Sequence, residues 1–174
     1  MSAVNAFAPC VRVDEVGRLF AGRADEYYTA DVADESSSAR PEPSEPNATA
    51  NGADPKWRDL VTPETPLPTP WAKEAFEEAQ GEIQARRREI RAESRPEEEM
   101  EALFREEQAR VEALLGEGPH SNAVGAFEGA NYQPRGVVRP QATCMMFTRS
   151  ADFCRVCRQA IERVIALYSR PSSP

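Results

Sequence analysis

Three cysteines near the carboxyl end have a spacing that could support chemistry. Cys144, Cys154 and Cys157 fall within 14 residues of one another, and the fourth cysteine, Cys10, is far away in sequence. Such a group can form one disulfide beside free thiols, remain reduced in a core, or bind a metal ion. The Cys154–Cys157 spacing suits a zinc knuckle with Cys144 as a third ligand, but no histidine lies nearby to complete the set. The sequence leaves these alternatives open and supports the zinc site least.

A second group of reactive side chains lies near the amino terminus. Apolar residues recur at spacings of three and four over residues 11–26, which predicts one amphipathic helix. Asp14 and Arg18 lie four residues apart on a neighbouring face, so we expect them to form an ion pair. Gly22 and the run from Asp25 to Tyr28 predict the end of the helix and the turn that leaves it.

The central part of the chain predicts a connector followed by a helical hairpin. Residues 29–68 are rich in Pro, Ser and Ala and poor in large apolar residues, which indicates a long loop or a disordered connector. Asn47-Ala48-Thr49 within it is formally a glycosylation sequon. Residues 69–116 predict two helices, the first capped by Thr69 and the second by a capping box of Ser94 and Glu97.

The remaining segments are assigned by composition. Residues 117–168 predict a loop-rich segment, a short strand or tight turn around Met146, and a terminal helix from Phe153 to Tyr168. Residues 1–10 and 169–174 are predicted to be tails. His120, the one histidine of the sequence, falls in a predicted surface loop.

Charge and hydropathy exclude several classes of function. The net charge of −8 argues against nucleic acid or an anionic membrane as the main partner. No apolar run approaches the roughly 20 residues that a membrane-spanning helix needs. The first ten residues have neither a basic region nor a hydrophobic core, so they do not resemble a signal peptide, and a cytoplasmic location is the default expectation.

One segment near the amino terminus and six later segments, in order, resemble one family of zinc metallopeptidases. The segment VRVDEVGRLFAGRADEYY resembles the active-site helix of the bacterial immunoglobulin-A-peptidase family, whose pattern is His-Glu-x-Gly-His followed by Asp-Glu-Tyr. The later segments that resemble the same family are SEPNAT, KWRDLV, TPLPTP, VGAFEGANYQPRG, RPQATCMMF and FCRVC. The matching positions in the first segment are Glu15, Gly17, Phe20, Gly22, Asp25, Glu26 and Tyr27.

The resemblance implies a role for several residues. In such peptidases two histidines bind zinc and the glutamate between them activates a zinc-bound water as general base, the position that Glu15 occupies. The resemblance makes Asp25 the candidate third ligand and Met146 the methionine of the turn beneath the metal. It also implies a protein or peptide substrate and secretion, which would favour a disulfide from Cys144 to Cys154 or Cys157.

The sequence departs from the family at both zinc histidines. Asp14 and Arg18 occupy those positions, and the guanidinium of Arg18 has no lone pair to donate to a metal. A fixed positive charge there also repels a divalent cation. We therefore expect no zinc at the family site, an idle Glu15 and no hydrolysis by the family mechanism.

Pattern and resemblance together predict a fold and a function. The expected fold is mainly α with long irregular loops: the active-site helix (residues 11–28) and carboxy-terminal helical subdomain of a metzincin-like zinc peptidase, without the α/β sheet subdomain that precedes that helix. The expected function is that of a truncated, inactive member of the family. Two alternatives are a module that binds a peptide or a partner protein, and an active hydrolase with an unconventional metal site.

Overall fold

Three α-helices and one β-hairpin form most of the regular structure in the part of the chain that the structure describes. The computed structural model describes residues 20–28, 41–148, 150 and 152–169. Within these residues no helix is both long enough and apolar enough to cross a membrane. The elements are a short 3-10 helix (Arg58–Leu60), α1 (Lys73–Ala92), α2 (Glu97–Gly116), β1 (Phe127–Ala130), β2 (Gln133–Arg139) and α3 (Arg155–Tyr168).

Helices α1 and α2 form a hairpin with an apolar core of its own. Their apolar residues recur at helical spacing and meet in one cluster, while the charged faces remain in solvent. Exposed ion pairs such as Arg86–Glu106 and Arg110–Glu82 join the two helices, and pairs of this kind contribute about 0–1 kcal/mol each. Burial of the cluster therefore holds the hairpin together. Its members are Ile83, Ile90, Met100, Leu103 and Phe104.

The predicted caps of both helices are wrong. Helix α1 begins at Lys73, and Thr69 instead bonds to the strand region, because its hydroxyl accepts a hydrogen bond from the Ala126 amide at 2.8 Å. Helix α2 begins after Pro96 without a side-chain cap, and Ser94 has a positive φ of 50° in the turn between the helices. Local capping patterns failed here because tertiary contacts and the turn conformation engage those residues.

The expectation of a mainly α fold is wrong, because the segment expected to be loops contains an antiparallel hairpin. Strands β1 and β2 pair with Phe127 opposite Arg139 and Ala130 opposite Gln133, with an irregularity between Glu128 and Ala130. Asn131 and Tyr132 connect them with φ values of 51° and 60°, which are typical of the tight turn that suits twisted hairpins. Pro134 and Gly136 made β2 look irregular in sequence, yet proline is tolerated near the start of a strand.

The main core packs the hairpin against α1, α3 and the turn around Met146. The rings of Tyr28, Trp71, Phe76 and Phe147 contact one another at centroid distances between 5.0 and 6.2 Å. Arg139 is completely buried among them, and its guanidinium carbon lies 3.7 Å from the Phe147 ring centroid and 4.3 Å from that of Trp71. Such stacking and cation–π contacts stabilise a charge that is cut off from water.

Two segments differ from their sequence-based expectation. Most of the predicted amino-terminal helix, up to residue 19, lies outside the described residues. Residues 20 and 21 are helical, whereas residues 22–28 have no regular secondary structure. Residues 41–68 contain little regular structure, but they bury Asn47, Thr49 and Trp57. Composition missed this order because these residues are fixed by individual hydrogen bonds, such as that from Trp57 Nε1 to the Gly125 carbonyl at 2.7 Å.

The close contact between Gly129 and Tyr28 gives a stability prediction. Gly129 has a φ of +99°, and a Cβ atom there would lie 2.3 Å from Tyr28 Cε1. Gly129→Ala should therefore lower the free energy of unfolding by about 2–4 kcal/mol, through backbone strain and overpacking. Urea denaturation followed by circular dichroism measures the change.

Gly81 provides the matched control for this substitution. It lies in exposed α1, and no atom comes within 4 Å of an added Cβ. Gly81→Ala should raise the free energy of unfolding by about 0.5–1 kcal/mol, because alanine favours the helix. Equal effects of the two substitutions would contradict the tight packing assigned to Gly129.

Candidate functional site

The segment from Gly22 to Tyr28 carries the residues that the family resemblance singles out, and it runs between two turns. Gly22 has a φ of +57°, the left-handed conformation that commonly ends a helix. On one side the amide of Asn131 donates to the Asp25 carbonyl at 2.8 Å. On the other side the amide of Glu26 donates to the Met146 carbonyl at 2.9 Å. The segment is thus fixed between the β1–β2 turn and the turn around Met146.

Asp25 is brought to this site, whereas the other proposed ligands of the family zinc lie outside the described residues. Asp25 is buried, and the hydroxyl of Tyr132 donates a hydrogen bond to its carboxylate. Asp14, Glu15 and Arg18 belong to the part of the chain that the structure does not describe, so their expected ion pair and idle base stay predictions.

The donor set at the family site does not fit zinc. Two of its three positions would supply oxygen atoms, from Asp14 and Asp25, and the third is Arg18, which has no lone pair. Zinc sites in proteins use nitrogen and sulfur ligands with some carboxylates, and a neighbouring guanidinium adds repulsion. No step of a reaction can be built on zinc at these three residues.

The sequence CMMF forms a tight turn, which settles the choice between a strand and a turn. The amides of Phe147 and Thr148 both donate to the Cys144 carbonyl, at 2.9 and 2.8 Å. Met146 is completely buried and its carbonyl accepts the Glu26 amide. The residue proposed for the methionine turn therefore contacts the residue that follows Asp25, although its relation to a metal is untested.

Asn47 anchors the segment from the opposite side. Its side-chain oxygen accepts the Ala24 amide at 2.8 Å, and its side-chain nitrogen donates to the Ala24 carbonyl and to Glu26 Oε1, both at 2.9 Å. All of these groups are buried, and Asn47 has no exposed surface. The sequon reading is therefore excluded in this fold, because a glycan needs an accessible amide. The sequence signal was present but pointed to the wrong role.

The three late cysteines meet beside Glu26. Each is a buried free thiol. The Cys144 and Cys157 sulfurs lie 3.8 Å apart, and the Cys157 sulfur lies 3.8 Å from Glu26 Oε1. The donor atoms of Glu26 and of Cys144, Cys154 and Cys157 all lie within 4.8 Å of one another, so these four residues could hold a metal ion. Sequence reasoning found the cysteines and missed Glu26, which is 118 residues away from Cys144 and was read only as part of the Asp-Glu-Tyr motif.

Local structure explains how the cysteines are positioned. Cys154 is the amino-terminal cap of α3, and its sulfur accepts the Cys157 amide at 3.4 Å. The Cys144 sulfur accepts the Cys154 amide at 3.3 Å. Two backbone N–H groups and a helix amino terminus therefore point at the sulfurs, an environment that stabilises negative charge. His120 lies in the turn after α2 and does not belong to the group of converging donor atoms.

The buried acids of this cluster have shifted pKa values. Burial raises the pKa of Glu26 well above its usual value, although the Asn47 amide and the Arg139 charge oppose the shift. Burial also raises the pKa of the Cys144 thiol to about 12. Burial alone would raise the pKa of the Cys154 thiol as well. Hydrogen bonds from the Cys144 and Cys157 thiols oppose this effect and lower the pKa of Cys154 to about 5.

Comparison with known proteins gives one clear result. The family model of the IgA peptidase M64 family matches residues 1–165. This is a family of zinc peptidases that act on proteins or peptides, and the match agrees with the resemblance seen in the sequence segments. No protein of curated function matches the chain.

The Asn47 contacts give a prediction for the site. Asn47→Ala should lower the free energy of unfolding by about 2–4 kcal/mol, because the Ala24 amide and the Glu26 carboxylate lose a buried partner. Asn47→Asp should cost more, since it places a second carboxylate beside Glu26. Thermal and urea denaturation measure both changes.

Asn51 is the matched control. It is exposed and its side chain accepts one hydrogen bond, from the Asp54 amide. Asn51→Ala should change the free energy of unfolding by no more than about 0.5 kcal/mol. A similar loss in Asn47→Ala and Asn51→Ala would show that the Asn47 contacts do not hold the segment.

Proposed function

Because the chain belongs to the IgA peptidase M64 family, we propose that it keeps the scaffold of a peptidase without the zinc-dependent hydrolysis of peptide bonds. The observation that carries the proposal is the presence of Asp14 and Arg18 at the two histidine positions. Histidines four residues apart on a helix bind the zinc from which the reactive water is generated. An arginine at one of these positions removes a ligand and adds a positive charge.

The remaining family residues cannot replace this chemistry. Glu15 occupies the general-base position, but a carboxylate alone does not lower the pKa of a water molecule as a bound zinc ion does. Asp25 is already engaged by the Tyr132 hydroxyl and the Asn131 amide holds its backbone. The proposal is therefore that Glu15 and Asp25 are inherited residues without a catalytic role.

A second candidate function is the binding of a peptide or a partner protein without cleavage. The observation that favours it is the buried framework around Asp25 and Glu26, which consists of protein-to-protein hydrogen bonds from Asn47, Asn131 and Tyr132. A framework of this kind needs no histidine ligand to form. It favours a folded scaffold over a disordered gene remnant.

Restoring the histidines tests the main proposal. Asp14→His/Arg18→His should bind about one zinc ion more per chain than the natural chain, as measured by elemental analysis after loading with zinc and removal of the excess. The natural chain should not cleave a mixture of unstructured peptides, as followed by mass spectrometry. Asp14→Ala/Arg18→Ala is the control and should show no increase in zinc.

Glu15→Gln separates the main proposal from an unconventional hydrolase. If the natural chain cleaves peptides and this substitution abolishes the cleavage, the inherited base is active and the proposal is wrong. Cleavage that persists unchanged in Glu15→Gln comes from another source, such as a contaminating peptidase, and leaves the family mechanism without support.

Unfolding experiments test whether the scaffold is retained. The natural chain should unfold in one cooperative transition, with the same urea midpoint by circular dichroism and by tryptophan fluorescence. Trp57 is a suitable reporter because it is buried and bonded to Gly125. A peptide that binds without being cleaved should raise the midpoint by mass action. Separate midpoints for the two probes would instead indicate a partly folded remnant.

A further inference from the structure

We propose that Glu26, Cys144, Cys154 and Cys157 form a structural zinc site, whose ligands differ from the positions Asp14, Arg18 and Asp25 that the family resemblance assigns to the catalytic zinc. The proposal does not depend on the loss of peptidase activity, because it shares no ligand with those three positions. It rests on the geometry of the four donor atoms, on the groups that surround them, on the charge balance and on the Glu26 carboxylate oxygen that has no hydrogen-bond partner among the described residues.

The first argument is the size and chemistry of the cluster. A tetrahedral zinc ion, with bonds of about 2.3 Å to sulfur and about 2.0 Å to oxygen, holds neighbouring ligand atoms about 3.5–3.8 Å apart. The Cys144 and Cys157 sulfurs lie 3.8 Å apart, and the donor atoms of all four residues lie within 4.8 Å of one another. Three soft thiolates and one carboxylate form a four-ligand set that suits zinc. All four residues are buried, as expected of a closed structural site.

The second argument is the state of the Glu26 carboxylate. Glu26 has no exposed surface, and its Oε2 atom has no hydrogen-bond partner among the described residues. An unpaired carboxylate oxygen in the interior is costly unless it is neutralised or coordinates a metal. A disulfide between two of the cysteines would leave that oxygen without a partner. A zinc ion would engage all four side chains at once.

The third argument is the support around the donor atoms. The Cys154 and Cys157 amides donate to the sulfurs of Cys144 and Cys154, as N–H groups do in cysteine-rich metal sites. The Asn47 amide orients Glu26 through Oε1. Outer groups of this kind fix the orientation of metal ligands.

The fourth argument is the charge balance. Three thiolates and one carboxylate around a divalent ion leave two excess negative charges, and the guanidinium of Arg139 is completely buried in the same core, 3.7 Å from the Phe147 ring centroid. The guanidinium of Arg139 therefore offsets part of this charge within the same core. The site joins the segment that carries Asp25 to the turn at Met146 and to α3, so the zinc ion would fasten parts of the chain that are distant in sequence.

Metal analysis of the full-length chain tests the proposal. Protein purified under reducing conditions and without chelator should contain about one zinc ion per chain. Cys154→Ser/Cys157→Ser should lose it, and Glu26→Gln should weaken zinc binding about tenfold or more. Glu26→Cys should retain zinc, because it replaces one ligand by another. His120→Ala and Cys10→Ser are the controls and should keep the full zinc content.

Two further measurements test the site without the Cys154→Ser/Cys157→Ser variant, in case that variant does not fold. They are cobalt substitution in the natural chain and alkylation of the three thiols. Co²⁺ added to the chelator-stripped natural chain should give the intense near-ultraviolet charge-transfer absorption of thiolate ligands. In the Cys10→Ser background, the three remaining thiols should resist alkylation until a chelator is added. A cobalt spectrum without thiolate bands would overturn the site.

The remaining outcomes also count against the proposal. Reduced protein that contains no zinc and takes up none from a zinc buffer would overturn it. A disulfide among the three cysteines would also overturn it. Mass spectrometry under non-reducing conditions would reveal such a disulfide as a mass two hydrogen atoms lower than that of the reduced chain. Iron in place of zinc after growth with both metals would contradict the assignment of the ion.

Discussion

The burial of Glu26 is the constraint on which the rest of the site depends. A carboxylate with no exposed surface is stabilised only by hydrogen-bond donors or a cation close to it. The neighbours of Glu26 stabilise it in different ways. Asn47 donates to Oε1, Arg139 contributes a positive charge, and the Cys157 thiol lies within reach of the same oxygen. These neighbours come from the central loop, from β2 and from α3. The acid therefore determines how three remote parts of the chain meet.

Arg139 links this polar centre to the apolar core. Its guanidinium donates to the carbonyls of Glu128 and Gly129, at 3.1 and 2.8 Å, and lies against the rings of Trp71 and Phe147. Burial lowers its pKa to about 10, so it stays charged at neutral pH. The carbonyls that it binds belong to the irregular part of β1, where Gly129 lets the backbone approach Tyr28. One side chain thus fixes the hairpin, the aromatic cluster and the electrostatics of Glu26.

The sequence predicted local features better than contacts between distant segments. The burial of Ala79, Ile83 and Ile90 follows from helical spacing, which is a property of neighbouring residues. The hairpin, the buried loop at Asn47 and the convergence of Glu26 with the cysteines depend on pairings between remote segments, which periodicity does not encode. Strand β2 contains Pro134 and Gly136, which are typical of loops, so the sequence pattern did not predict it. The prediction of a mainly α fold was wrong for that reason. The family motif singled out Asp25, whose role as a ligand stays a prediction, and it gave Glu26 no role.

The two neighbouring acids, Asp25 and Glu26, contact different parts of the fold. Asp25 faces the hydroxyl of Tyr132, whereas the amide of Glu26 bonds to the turn at Met146 and its side chain points into the thiol cluster. The contacts that hold the segment therefore come from Asn47, Asn131 and Met146, none of which is a ligand of the family zinc. A zinc ion at the proposed site of Glu26 and the three cysteines would add one more link between this segment, the turn at Met146 and α3.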